Sequence, residues 1–455
     1  MGVGAFAEPL VVVTLLFGGV YVNRNTNYKL FGKRGNNWKE KTFDERVDDF
    51  SDGVESPRSR NSNDSLLEGG ALLSQPVPTW RKREIALGRL RLEVASPNTA
   101  VFQDYFLSRL LRKLPFLAEC WYWALIYWVY QIGRAIGALT LDEKTVDVAR
   151  HHALQLIALE KRLQIFWEPH IQRAFMQHET MMHWINRIYS YIHIPGTIFF
   201  LGFLYFYTIT RNRTDERQSG KDLGEKAGSP AGAALYQARR RTMAMCNLLA
   251  FIVFTAWPCM PPRLLSDDTA TGPEAALGRT YGFVDTVHGK GGESSVWTQN
   301  KFCNQYAAMP SLHFGYSLMI GLTIAMLPLA PHHRRQISFR VPGYGQMRLP
   351  SIRRIACLVA GFTYAFVILI AIVSTANHFI LDAVAGACVC ALGWWGNRFL
   401  LNLLPLEDYF LCFVRSYGSD IFPGVSYSVN YRLDHVVESM ASIGLQESPI
   451  ISPAF

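Results

Sequence analysis

Six long apolar runs follow one another after residue 115, with polar segments between them: Leu117–Leu139, Trp184–Thr208, Met243–Met260, Phe314–Ala330, Ile355–Ala376 and Phe379–Leu404. About 20 predominantly apolar residues in a helix cross the hydrocarbon core of a bilayer, so each run predicts a spanning helix. A seventh run, Ala5–Val22, is shorter and interrupted by Glu8 and Pro9. No positive charge precedes it, and Arg24, Lys29, Lys33 and Arg34 follow it, so it reads as an anchor helix rather than a cleaved signal. The pattern predicts an all-α, polytopic membrane helix bundle: a six-helix core plus an N-terminal anchor helix.

The polar segments set the expected organisation. Between Gly35 and Pro78 the chain is rich in Ser, Asn, Asp and Glu, and stretches such as Ser51–Ser65 lack the apolar surface to offset the entropy of ordering. Residues 1–34 are therefore expected to form the anchor, 35–114 a largely disordered cytosolic arm, 115–404 the core and 405–455 a cytosolic tail. Within the core, Val146–Trp167 carries Leu154, Ile157 and Ala158 at helical spacing and stops before Pro169, which predicts a helix lying along the membrane surface. Pro342, Gly343 and Gly345 mark a turn.

Composition narrows the class. Hydrophobic residues make up 49% and charged residues 18%, below the roughly one quarter charged that soluble domains carry. The net charge of +9 would suit nucleic acid only on a folded polar face, but here the basic residues sit in the gaps between apolar runs. The expected partners are membrane lipids, not nucleic acid. The eight cysteines are scattered without a C-x-x-C, and Cys388 and Cys390 lie inside an apolar run, so neither metal nor cofactor is expected. Lys and Arg number eight in 211–241 and six in 331–354, against four in 263–312 and five in 140–183. Positive-inside logic places the first two loops in the cytosol and 263–312 on the luminal or extracellular side. There Cys259 and Cys303 would meet an oxidising face where a disulfide can form.

Three short sequences fall on that non-cytosolic face: Pro261-Pro262-Arg263; Ala308-Met309-Pro310-Ser311-Leu312-His313; and Ser374-Thr375-Ala376-Asn377-His378 followed by Asp382. His378 and Asp382 are four apart, so on a helix they share a face, and the carboxylate can orient one imidazole nitrogen while the other attacks. His313, from another run, has the chemistry of a general acid for a leaving group. Arg263 suits phosphate oxygens because its planar fork stays charged, and Ser311 and Asn377 add donors for the same anion. An acid inside a span is costly, which makes Asp382 a functional candidate in its own right. His193, inside the second run, fits either a buried hydrogen bond or a site wall.

The Pro310-Ser311-Leu312-His313 and His378-x-x-x-Asp382 motifs resemble the type 2 phosphatidic acid phosphatase superfamily. Asn304–Gly315, Thr375–Phe379 and Leu159-Glu160-Lys161-Arg162-Leu163 with Glu168-Pro169 resemble its inositol phosphorylceramide synthase-like branch. The resemblance implies His378 as nucleophile toward phosphorus, Asp382 as its orienting group and His313 as acid. There are departures: Ala256 stands where the superfamily's phosphatases carry a Lys, Ala371-Ile372 where they carry Ser-Arg, and Leu312 where they carry Gly. The missing cations fit the transferase branch better. The resemblance thus implies transfer of a phosphoinositol-like head group between lipids, with lipid phosphate or pyrophosphate hydrolysis as the alternative and a non-enzymatic scaffold or transporter as the third class. The expected location is an endomembrane (Golgi or ER) or the plasma membrane, with the site on the luminal or exterior face that the Lys/Arg asymmetry predicts.

Overall fold

The apolar runs fold as helices. A computed structural model describes residues 4–30, 78–102, 105–139, 143–213, 231–287, 305–330, 333–341 and 345–417. In chain order the helices are α1 Gly4–Val22, α2 Phe106–Lys113, α3 Pro115–Leu139, α4 Glu143–Arg162, α5 Glu168–Met176, α6 Glu179–Arg187, α7 His193–Tyr205, α8 Ala233–Ala256, α9 Pro273–Arg279, α10 Leu312–Ala325, α11 Ile352–Ser374, α12 Ile380–Gly396 and α13 Leu404–Tyr417. Two antiparallel hairpins, β1 Trp80–Leu87 with β2 Leu90–Pro97 and β3 Ile337–Val341 with β4 Gly345–Leu349, accompany them, together with short 3-10 and π-helical turns.

Among the described residues, three helical stretches are long and apolar enough to cross a membrane: His193–Arg213, Ile352–Ser374 and Ile380–Phe413. Pro9–Val22 and Leu312–Ala325 are shorter apolar helices. This is a mostly helical membrane protein.

Contacts divide the chain into two units, Met1–Asn25 with Leu114–Leu400, and Thr26–Lys113 with Leu401–Phe455. In the second unit, part of the stretch expected as a disordered arm is folded. Leu87 pairs with Leu90 across a two-residue turn in which Gly88 takes φ +63°, the positive angle that tight hairpins require. The hairpin is held by Asp408 of α13, which accepts from Arg81, from Arg83 Nε at 3.1 Å and from Ser96 Oγ at 2.7 Å. That acid is distant in sequence, so the segment's own composition gives no sign of it. Residues 31–77 and 418–455, the remainder of the expected arm and tail, lie outside the described residues.

The first unit carries the three motif segments and departs from the sequence-based expectation in three places. The surface helix α4 ends at Arg162, five residues early, because Gln164 takes a left-handed φ of +59°. Pro169 then opens α5, where a missing N–H costs nothing, instead of closing α4. The second apolar run is not one α-helix: π-helical turns at Ile188–Ile192 and Phe206–Thr210 flank α7. Arg239, Arg240 and Arg241, read as loop, lie inside α8. There Arg240 pairs with Glu119 of α3 at 2.8 Å, and the Arg239 guanidinium sits 3.2 Å from the Trp394 ring centroid.

Small residues bring the central helices into backbone contact, as tight packing between membrane helices requires. A Cβ added at Gly361 of α11 would overlap the carbonyl of Gly321 on α10. One at Gly386 of α12 would overlap the carbonyl of Ser311, just before α10. The segments carrying the candidate catalytic residues are therefore clamped by their backbones.

Candidate active site

The three motif segments are joined by main-chain hydrogen bonds before any side chain is considered. Cys259, after α8, donates its N–H to Tyr306 at 2.8 Å and accepts from Ala308 at 3.0 Å. Arg263 N donates to the carbonyl of Ala376 at 2.9 Å, and Ser311 N to that of Asp382 at 3.0 Å. These bonds link the exit of α8, the entry of α10 and the α11–α12 junction. Ala376 is held at φ +52°, a conformation L-residues avoid, immediately before Asn377-His378.

His378 sits before the start of α12, whose N-cap is Phe379, so its relation to Asp382 is not that of two residues on one helical turn. Its Nδ1 donates to the carbonyl of Ala308 at 2.8 Å, while Asp382 Oδ2 is 3.6 Å away. A carbonyl only accepts, so Nδ1 carries the proton and Nε2 the lone pair. That Nε2 faces His313 Nδ1 at 3.4 Å. The His313 ring is held between Tyr189, stacked at 4.9 Å, and His193, tilted at 4.7 Å. His193 is thus a wall of the site.

Asp382 is fully buried and accepts the Phe379 N–H through Oδ2 at 2.8 Å. Arg263 directs Nε to Asn377 Oδ1 at 2.9 Å and Nη1 to Asp285 Oδ2 at 2.8 Å. Asn377 is in turn tied to Thr375 Oγ1 at 2.8 Å. Guanidinium and amide are therefore adjacent and oriented beside His378. Ser311 is fully buried, and its hydroxyl accepts from Phe314 N at 3.4 Å as the cap of α10, a structural use rather than that of an open anion donor.

Residues 154–215, 231–337 and 344–396 match the family model of the PAP2 superfamily. The chain carries a PAP2 superfamily domain. All six residues read from the motifs fall inside the matched segments. No curated protein and no solved structure matches the chain. Members of the superfamily are generally phosphatases and phosphotransferases.

The PAP2 domain contains participants that the motif reading did not assign. Ala308 supplies the carbonyl that sets the His378 tautomer, a role no side chain advertises. Glu160 and Glu168 are fully buried, and their Oε1 atoms accept from Leu381 N and Ile380 N, each at 2.9 Å. A signal for the first was present: Ala149, Ala153, Leu156 and Ile157 form the buried stripe of α4, and Glu160 continues it one turn on. Burial, with Glu168 beside it, pushes the Glu160 carboxyl up to about 9, and burial raises Glu168 as well. Among the described residues no group of three or more His, Cys, Asp or Glu has the arrangement of a metal site. Cys259 is a free, buried thiol, while Cys303 and Asn304 lie outside the described residues.

Proposed function

We propose that the chain is a membrane lipid phosphotransferase that moves a phosphoinositol-like head group between lipids through a phosphohistidine at His378. The observation that carries this reading is the facing pair of imidazoles from separate segments. His378 Nε2, with Nδ1 tied to the Ala308 carbonyl, points its lone pair at His313 Nδ1 3.4 Å away.

In the first half-reaction Nε2 attacks phosphorus, the bond from phosphorus to the donor lipid's oxygen breaks, and His313 gives that oxygen its proton. In the second, an acceptor lipid's hydroxyl attacks phosphorus, the P–N bond breaks, and His313 takes the hydroxyl proton back. Arg263 and Asn377 steady the phosphate oxygens, and Asp382 offsets the positive charge on the His378 ring. Reacting atoms approach to about 3–3.5 Å before attack, so a phosphoryl group between the rings requires them to part on binding. Transfer is favoured over hydrolysis because Ala371 and Ile372, where the superfamily's phosphatases place Ser-Arg, are fully buried apolar residues.

The test is a lipid assay on membranes carrying the protein, with donor labelled in its phosphate, with and without an acceptor lipid bearing a free hydroxyl. Labelled lipid product that depends on acceptor is expected. Label released to water alone would make the protein a phosphatase. No turnover from either arm would return it to a scaffold or transporter. His378→Ala should abolish both product and labelled protein.

A further inference from the structure

Three consecutive main-chain N–H groups open α12, and each goes to a different carboxyl: Phe379 to Asp382 at 2.8 Å, Ile380 to Glu168 at 2.9 Å and Leu381 to Glu160 at 2.9 Å. The two glutamates arrive from separate elements, α4 and α5, and both are fully buried. The second oxygen of each, Oε2, meets no N–H or O–H donor, and the same holds for Asp382 Oδ1. The start of a helix carries about half a positive charge, which cannot balance three buried carboxylates. The two glutamates stand beside each other at this turn, and burial raises the carboxyls of both. One proton held between them supplies the missing donor and removes one charge.

We propose that Glu160 and Glu168 are positioning residues for the reaction: a carboxyl pair sharing one proton that grips the first turn of α12 and thereby fixes where His378 aims. This rests on the reading of His378 as the nucleophile. His378 is two residues from the gripped N–H of Ile380, and the hydrogen bonds of His378 go to Ala308 and His313 rather than to the pair. Because these N–H groups are already taken, the start of α12 is closed to phosphate, and oxyanion binding falls to the side chains of Arg263 and Asn377.

Other charged and titratable groups lie on the elements that carry and surround the pair, among them Arg150 of α4, which pairs with Asp147 at 2.8 Å, and Arg173 of α5, whose Nε donates to the Pro169 carbonyl at 3.0 Å. Asp382 lies on α12, with His378 3.6 Å from it. Cys259, a buried thiol, precedes the Pro262–Ser266 turn. Arg263 of that turn is committed to Asp285 and Asn377. Lys161 of α4 lies over the Tyr281 ring at 4.4 Å. From α11, which packs on α5, Ser374 and Thr375 approach the junction. Below about 9 the shared proton is present and the grip is intact; as pH rises through that value two bare carboxylates repel and the grip opens.

The test uses full-length protein in lipid–detergent micelles, with turnover followed from pH 6 to 10. Wild type should lose activity above about pH 9. Glu160→Gln keeps the acceptor for Leu381 and gives Glu168 a permanent donor, so it should retain neutral-pH turnover within about threefold while the alkaline loss disappears. Glu160→Ala should lower kcat at least tenfold with KM unchanged. An alkaline limb that is the same in Glu160→Gln as in wild type overturns the proposal, as does wild-type kcat in Glu160→Ala. Should the Ala variant fail to fold, the pH profile of the Gln variant decides alone. Normal turnover in His378→Ala would instead remove the nucleophile reading, whatever the glutamate variants do.

Discussion

His378 Nδ1 bonds the carbonyl of Ala308 at 2.8 Å and stands 3.6 Å from the carboxylate of Asp382. The task of fixing the tautomer is thereby separated from that of supplying charge. In triads where an aspartate does both, replacing it with asparagine costs about 10⁴-fold because the ring flips to the wrong tautomer. Here Asp382→Asn keeps an acceptor for the Phe379 N–H, and the carbonyl keeps Nδ1 protonated. Only the charge opposite a developing imidazolium is lost, worth about 4–5 kcal/mol at this distance for an effective dielectric constant of about 20. We expect turnover to fall about 10²- to 10³-fold with the protein folded and inserted. Single-turnover measurement of labelled enzyme checks this. A loss of about 10⁴-fold or more would show that Asp382 sets the tautomer after all.

Arg263 is anchored at three points: its N–H on Ala376, Nε on Asn377 and Nη1 on Asp285. A lysine ammonium cannot reach Asn377 and Asp285 in the same fork geometry while still facing phosphate. Arg263→Lys should reduce kcat/KM by about tenfold or more, the loss typical of a charge-assisted bond worth at least ~1.4 kcal/mol. Steady-state kinetics with donor lipid checks it. A fully active Lys variant would demote Arg263 to an anchor of the α11–α12 junction.

Gly386 tests whether the distance between the histidines depends on helix approach. A side chain at Gly386 would overlap the Ser311 carbonyl, whereas one at Gly315 would meet the Gly386 carbonyl at 3.0 Å, tight but open to a small adjustment. Gly386→Ala should lower both the midpoint of thermal unfolding and turnover, since overpacking costs about 1–3 kcal/mol and pushes α10, with His313, off α12. Gly315→Ala should be the milder of the two on both measurements. Equal effects would mean that the close approach at Gly386 does not control the site.

The sequence made the apolar runs legible because burial in lipid writes itself into composition one residue at a time. The Pro310–His313 and His378–Asp382 motifs were legible for a similar reason, being local. What escaped was long-range or main-chain. The carbonyl of Ala308 has no side-chain signature, and the bonds from Glu160 and Glu168 to α12 bridge more than 200 residues. The folded hairpin at Trp80–Pro97 was hidden because the acid that holds it, Asp408, lies in α13. The π-helical turns flanking α7 and the reversal at Gln164 leave the hydrophobic pattern almost unchanged, so periodicity could not reveal them.

Orientation is the remaining prediction, and the structure changes how it is tested. Three of the eight basic residues counted in 211–241 lie within α8, where Arg239 and Arg240 are engaged by Trp394 and Glu119. Arg211 and Arg213 likewise close the helical stretch His193–Arg213, and Arg353 and Arg354 open α11, so three basic residues remain in the first loop and four in 331–351, and the count alone no longer separates the two faces. The natural sequon at Asn212 is a poor reporter, because its amide donates to the carbonyls of Thr208 at 2.9 Å and Ala231 at 3.0 Å. Two single substitutions create better ones. Gly292→Asn completes an Asn-x-Ser sequon with Ser294, and Arg217→Asn one with Ser219. With the site facing the lumen or exterior, Gly292→Asn protein should gain a glycan removable by endoglycosidase, and Arg217→Asn protein should not. The opposite pattern would turn the His313–His378 pair toward the cytosol and change the lipid pool it draws on.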